Sequence, residues 1–291
     1  MSACEKTEVI CPKCNAPQLF DDWIVVNVTS NPEMKARVME GDLFTLTCSL
    51  CKEQTHIQKP LLYSDIEKNF MVHLLHGEEP DADMLDGFPQ LSKVKLRYVD
   101  DEMQFYEKIR IFDDGIDDRI IEIEKLTLVD VVRESWAKEP LEIYYQGLSD
   151  YVQGGKQMGY YVVLEEGVRK ITFPYPEKYK KSIRQFLQKL PDTSNELGRW
   201  LKVDPACAKA WLAVMNIEKL RPSASTIERV STSAKRRPSA TGIPRVYPSA
   251  KRRPSASGIT RLSSSKKRRP SAASIARASS NPRRRRRRFK R

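Results

Sequence analysis

Long apolar runs are missing from this chain of 291 residues. None approaches the roughly 18 residues needed to cross a bilayer, and the opening MSACEKTEVI has no apolar stretch of the secretory kind. No membrane span is expected, and the chain reads as cytoplasmic. Histidine is scarce. His56, His73 and His76 are the only three, too scattered to set a base beside a nucleophile. No phosphate loop of the Walker type appears, since 153-QGGKQMG-159 has its glycines in the wrong arrangement. We therefore expect no enzyme. Acidic residues vanish from the last quarter, where residues 219–291 hold 24 Lys and Arg and a single acid, Glu228. Aromatics are almost absent there too, leaving only Tyr247 and Phe289, too few to stack the bases of a single strand.

What is present divides sharply. Residues 1–218 carry 27 cations against 37 acids, whereas residues 219–291 carry a net +23, so the overall +13 describes neither part. A partner argument must treat the acidic body and the basic tail separately.

The tail is built from four sixteen-residue units, KLRPSASTIERVSTSA, KRRPSATGIPRVYPSA, KRRPSASGITRLSSSK and KRRPSAASIARASSNP, followed by RRRRRRFKR. Each has Arg-Pro-Ser-Ala at its third to sixth places, with Ile227, Ile243, Ile259 and Ile275 at the ninth. One Ile per unit buries too little surface to offset the entropy of ordering a solenoid, and the recurring Pro breaks a continuous helix. A disordered tail is expected. Cations strung along such a chain bind polyanions by counterion release, which needs no folded shape. We assign nucleic-acid binding to Arg236, Arg237, Arg252, Arg253, Arg268, Arg269, Arg283, Arg284, Arg285, Arg286, Arg287 and Arg288. The ligand is duplex DNA or structured RNA approached through its backbone, with other polyanions as alternatives. DNA of that kind would make the chain nucleoid-associated. Arg-Arg-x-Ser precedes Ser239, Ser255 and Ser271, similar to the substrate pattern of basophilic kinases. Phosphate there would cancel charge and weaken polyanion contact.

The body alternates in period. Strands are expected at 23–28, 43–48, 69–75, 91–99, 141–146, 158–166 and 168–173, the last two joined as a hairpin through Gly167. Helices are expected at 31–41, with Asn31 as N-cap and Gly41 as stop, then at about 101–112, 117–136, 176–190 and 205–220, the last capped by Asp204. The acidic 113-DDGIDD-118 reads as a turn and helix cap in preference to a Mg²⁺ site.

One constellation carries chemistry. The pairs 11-CPKC-14 and 48-CSLC-51, 33 residues apart, can present Cys11, Cys14, Cys48 and Cys51 to one tetrahedral Zn²⁺, closed and structural. Four reduced cysteines in a core are the bland alternative. Cys4 is expected in a loose N-terminus, Cys207 as a small hydrophobe in an apolar helix, and His56 as a minor candidate to replace one thiolate. No βαβ pattern surrounds the pairs, so a redox role is not expected.

The stretches EVICPKCN, PLLYSD at 60–65 and YEKIRIFDDGIDDRIIEIEK at 106–125 resemble the CpXC domain proteins of bacteria and archaea. The resemblance covers residues 6–135 and extends at most to 175. It implies that the four matching cysteines are zinc ligands, and it implies no activity. The fold class expected is α+β: a zinc-ribbon-like β element at 6–76, an α+β remainder at 77–175, helices at 176–218, then the tail at 219–291. The function expected is a non-enzymatic zinc protein whose tail binds nucleic acid and whose body meets an unidentified protein partner. The alternative is a protein scaffold or regulator using the tail as an electrostatic clamp or phosphorylation-tuned switch.

Overall fold

The computed structural model describes residues 1–81, 89–151 and 154–215. The four repeats, the twelve assigned arginines, Ser239, Ser255 and Ser271 lie outside the described residues, as does the end of the helix expected at 205–220.

Two strands open the chain, β1 (Ala3–Ile10) and β2 (Pro17–Asn27), paired antiparallel. Nearly all of β1 is exposed, so no apolar alternation marked it in the sequence. Cys4, expected in a loose segment, is instead held in β1 opposite Trp23. Helix α1 (Met34–Glu40) follows and ends on Gly41, whose φ of 78° is the left-handed conformation glycine adopts readily. Asn31 does not cap it. Glu33 occupies the cap position, and Asn31 instead accepts a hydrogen bond of 2.8 Å from Ser2 Oγ.

The strand expected at 43–48 begins as a 3-10 turn over Asp42–Phe44, because Leu43 and Phe44 both turn into the core; only β3 (Thr45–Thr47) is extended. It pairs with β4 (Gln54–His56). Then β5 (Leu61–Asp65), β6 (Phe70–Leu74) and β7 (Lys95–Val99) build the main sheet. The start of the strand expected at 91–99 is likewise a 3-10 turn, Pro89–Lys93.

Two long helices come next. Asp101 caps α2 (Glu102–Asp113) by accepting the Gln104 N–H at 2.9 Å, and Asp117 caps α3 (Asp118–Trp136) by accepting the Arg119 N–H at 3.1 Å. Strands β8 (Glu142–Asp150), β9 (Lys156–Leu164) and β10 (Gly167–Pro174) form a meander. After α4 (Glu177–Leu187) the short β11 (Trp200–Leu201) returns to the main sheet. Last comes α5 (Pro205–Val214), with Asp204 accepting the Cys207 N–H at 2.9 Å.

The main sheet runs β1-β2-β5-β6-β7-β11, and the meander β10-β9-β8 stands as a second sheet. Helix α2 packs against β6 and β7 and also against β8, so it is shared by both. α3 has two apolar faces. Ile121, Leu128 and Val132 join the large core with Tyr63, Phe70, Phe105 and Tyr160. Ile120, Ile123 and Leu126 join a smaller core with Ile183 and Phe186 of α4 and Ala208 and Leu212 of α5. The mixed α/β class expected from the sequence is what forms. Among the described residues no helix is long and apolar enough to cross a membrane.

Candidate metal centre

Each cysteine pair sits at the tip of a hairpin. Cys11 to Cys14 connect β1 with β2, and Cys48 to Cys51 connect β3 with β4. The two tips repeat one backbone device. In the first, the Asn15 N–H donates to the Cys11 carbonyl at 2.9 Å and the Cys11 N–H donates to the Ala16 carbonyl at 3.0 Å. In the second, the Lys52 N–H donates to the Cys48 carbonyl at 3.0 Å and the Cys48 N–H donates to the Glu53 carbonyl at 2.8 Å. Both turns close through a left-handed residue, Asn15 at φ 57° and Lys52 at φ 60°.

The hairpins face each other across a sulfur cluster. Cys11 Sγ lies 3.7 Å from Cys51 Sγ, and Cys14 Sγ lies 3.6 Å from Cys48 Sγ. All four sulfurs fall within 4.8 Å of one another. A tetrahedron with metal–sulfur bonds of about 2.3 Å has edges of about 3.8 Å, so the cluster has the size of a metal's coordination shell. Two hydrogen bonds clamp the hairpins together beside it: Lys13 Nζ donates to Glu53 Oε2 at 2.7 Å, and the Ser49 N–H donates to Gln18 Oε1 at 2.9 Å.

Backbone N–H groups prepare the sulfurs for negative charge. Those of Cys51 and Leu50 hold the Cys48 thiol down to about 6, and those of Cys14 and Lys13 lower Cys11. At Cys14 the Ala16 N–H pulls downward, but loss of water and the three neighbouring sulfurs push it up to about 12. Four thiolates this close repel strongly unless a cation lies among them. The donor set therefore fits a metal ion, and these residues can hold one.

Residues 9–125 match the family described as CpXC protein. The matched span takes in both hairpin tips and runs through α2 into α3, ending at Lys125. It covers 117 of the 291 residues. The CpXC region thus includes the whole sulfur cluster, while β8 to α5 and the basic repeats lie beyond it. No curated protein and no solved structure matches the chain.

Other candidates resolve differently. His56 does not join the sulfurs; its Nε2 is 2.6 Å from Glu102 Oε1. In 113-DDGIDD-118 every carboxylate has a protein partner. Asp113 meets Lys35 and Lys68, Asp114 accepts from Tyr145 Oη and the Leu148 N–H, Asp117 caps α3, and Asp118 pairs with Arg97. The Cys207 thiol, half-buried, donates to the Lys202 carbonyl at 3.1 Å.

Sequence reasoning missed a layer of buried charge. Arg97 Nε donates to Asp118 Oδ2 at 2.7 Å, Lys108 Nζ to Glu122 Oε1 at 2.8 Å, and Lys125 Nζ to Glu107 Oε2 at 2.6 Å. All six residues are buried. Their signal lay in the helical spacing, because Lys108 follows Phe105 by three residues and Lys125 follows Ile121 by four, on faces where a core helix carries apolar residues.

Proposed function

We propose that this is a non-enzymatic structural-zinc protein whose basic tail binds nucleic acid without sequence preference while its body acts as an interaction module. The observation that carries the zinc reading is the convergence of four sulfurs from two matching hairpin tips, with spacings of 3.6 and 3.7 Å between tips. An all-cysteine tetrahedron leaves no open position for substrate, which suits a structural site. All-sulfur ligation suits iron as well, so metal analysis of the purified full chain decides between them. One zinc per chain is the expected result, with its loss in Cys11→Ser and Cys48→Ser.

The tail's part rests on charge. If about 8 of its cations engage duplex phosphates, log K should fall against log salt with a slope of about −7. Replacing Arg283 to Arg288 by Gln in the full chain should flatten that slope; an unchanged slope would remove nucleic acid from the proposal. The body's role is supported by Leu19 and Leu50, which are 71% and 73% exposed near the cluster, where a protein partner would find apolar surface.

A further inference from the structure

A cleft of about 1310 Å³ opens between α3, the start of β8 and α5, and shares no residue with the sulfur cluster. Its lining includes part of the buried charge layer, namely Lys108, Glu122 and Lys125, together with apolar side chains of α3, β8 and α5 and the ring of Tyr144. Glu142 lies on the same wall and is exposed. Its side chain makes no hydrogen bond or ion pair with any described residue.

The distribution of partners decides the sign of charge this cleft would take. Lys108 already faces Glu122 and Asp118, Lys125 faces Glu107 and Glu122, and Arg133 is held by Glu139 through bonds of 2.7 and 2.6 Å. Among the described lining residues an anion would find only Lys209 without a counter-ion. Of the carboxylates on the same walls, Asp130 meets Arg133 and Asp204 caps α5. Glu142 is unpaired, and Glu122 Oε2 is buried without a hydrogen bond. Lys125 Nζ is 3.2 Å from that oxygen, but it donates to Glu107 Oε2 and to Glu122 Oε1 instead. Partial burial, and after it the neighbouring Asp101, push the Glu142 carboxyl upward, although Lys125 pulls the other way. Tyr144 already receives one cation, with Lys125 Nζ 5.8 Å from its ring centre.

We propose that the cleft binds a small organic cation, a guanidinium or primary ammonium carried on an apolar stem, with Glu142 as its counter-ion and Tyr144 beside the stem. A carboxylate next to an aromatic ring and aliphatic walls is the chemistry that recognises such groups.

Isothermal titration of the full-length protein at constant ionic strength tests this with n-butylguanidinium, n-butylammonium and butyrate. Both cations should bind saturably, butyrate at least about ten-fold more weakly, and Glu142→Gln should weaken the cations by about ten-fold, as loss of one partly desolvated charge partner predicts. Lys209→Gln should leave cation affinity unchanged or raise it. Glu142 has no partner to lose, so its variant should melt as the parent does. Absence of saturable binding, equal binding of butyrate, or unchanged affinity in Glu142→Gln would each overturn the proposal.

Discussion

Asp118 and Arg97 are both fully closed off from solvent, joined by bonds of 2.7 and 3.2 Å. Burial alone would raise the Asp118 carboxyl, but Arg97 and Lys108 hold it well below the usual range. Removing one partner leaves a buried charge uncompensated, so Asp118→Asn should cost about 3 to 5 kcal/mol in urea unfolding. The hairpin tips make a smaller demand on single residues. Lys52 sits at φ 60°, a conformation β-branched side chains resist. Lys52→Val should therefore lower stability by about 1 to 2 kcal/mol and weaken metal retention against a chelator, whereas Lys52→Gly should not. At this scale the cysteines were legible because ligand spacing is local. The left-handed closing residues were not, since nothing in CNA or CKE requires that conformation until both hairpins have formed.

Among the elements, α3 is where separate parts are tied together. Its Glu124 accepts hydrogen bonds from Tyr160 of β9 and Tyr179 of α4. Burial pushes the Glu124 carboxyl from 4.5 to about 7, although both phenols pull the other way. The folded chain thus keeps a proton that the unfolded chain releases as pH rises from about 4.5 towards 7. The stabilisation from this group is full below that window and is lost across it. Glu124→Gln should melt several degrees above the parent at pH 8, with the gap closing near pH 4, as thermal unfolding across pH would record. The caps of α3 and α5 were readable from Asp117 and Asp204, because a cap is written in adjacent letters. β1 was not, because an exposed edge strand such as CEKTEV shows no apolar alternation and owes its extended form to pairing with β2. Nor was the 3-10 entry into β3, where Leu43 and Phe44 both enter the core and break the period of two.

For the molecule as a whole, the sulfur cluster and the buried charge layer hold different regions. The sulfur cluster joins β1, β2, β3 and β4, whereas the ion pairs lock α2 to α3 and α3 to β7, and Glu107 of that layer accepts the Tyr145 N–H of β8. Chelation should thus raise amide hydrogen exchange in residues 1–56 while α3 keeps its protection. Equal loss of protection in α3 would mean that the metal holds the entire body. The division between acidic body and basic end was legible from charge alone. The sharing of α2 between two sheets was not, because no local pattern tells a helix how many sheets it will cover.

The distance in sequence between the two hairpin tips has a kinetic side. A metal ion held by Cys11 and Cys51 closes a loop that contains β2 and α1, so loading it early would spare the chain much of the entropic search that otherwise precedes their docking. Ion supply during synthesis would then set how fast this half of the protein reaches its final form, and a chain made in metal shortage would spend longer with Leu43, Phe44 and the inner face of β2 open to aggregation.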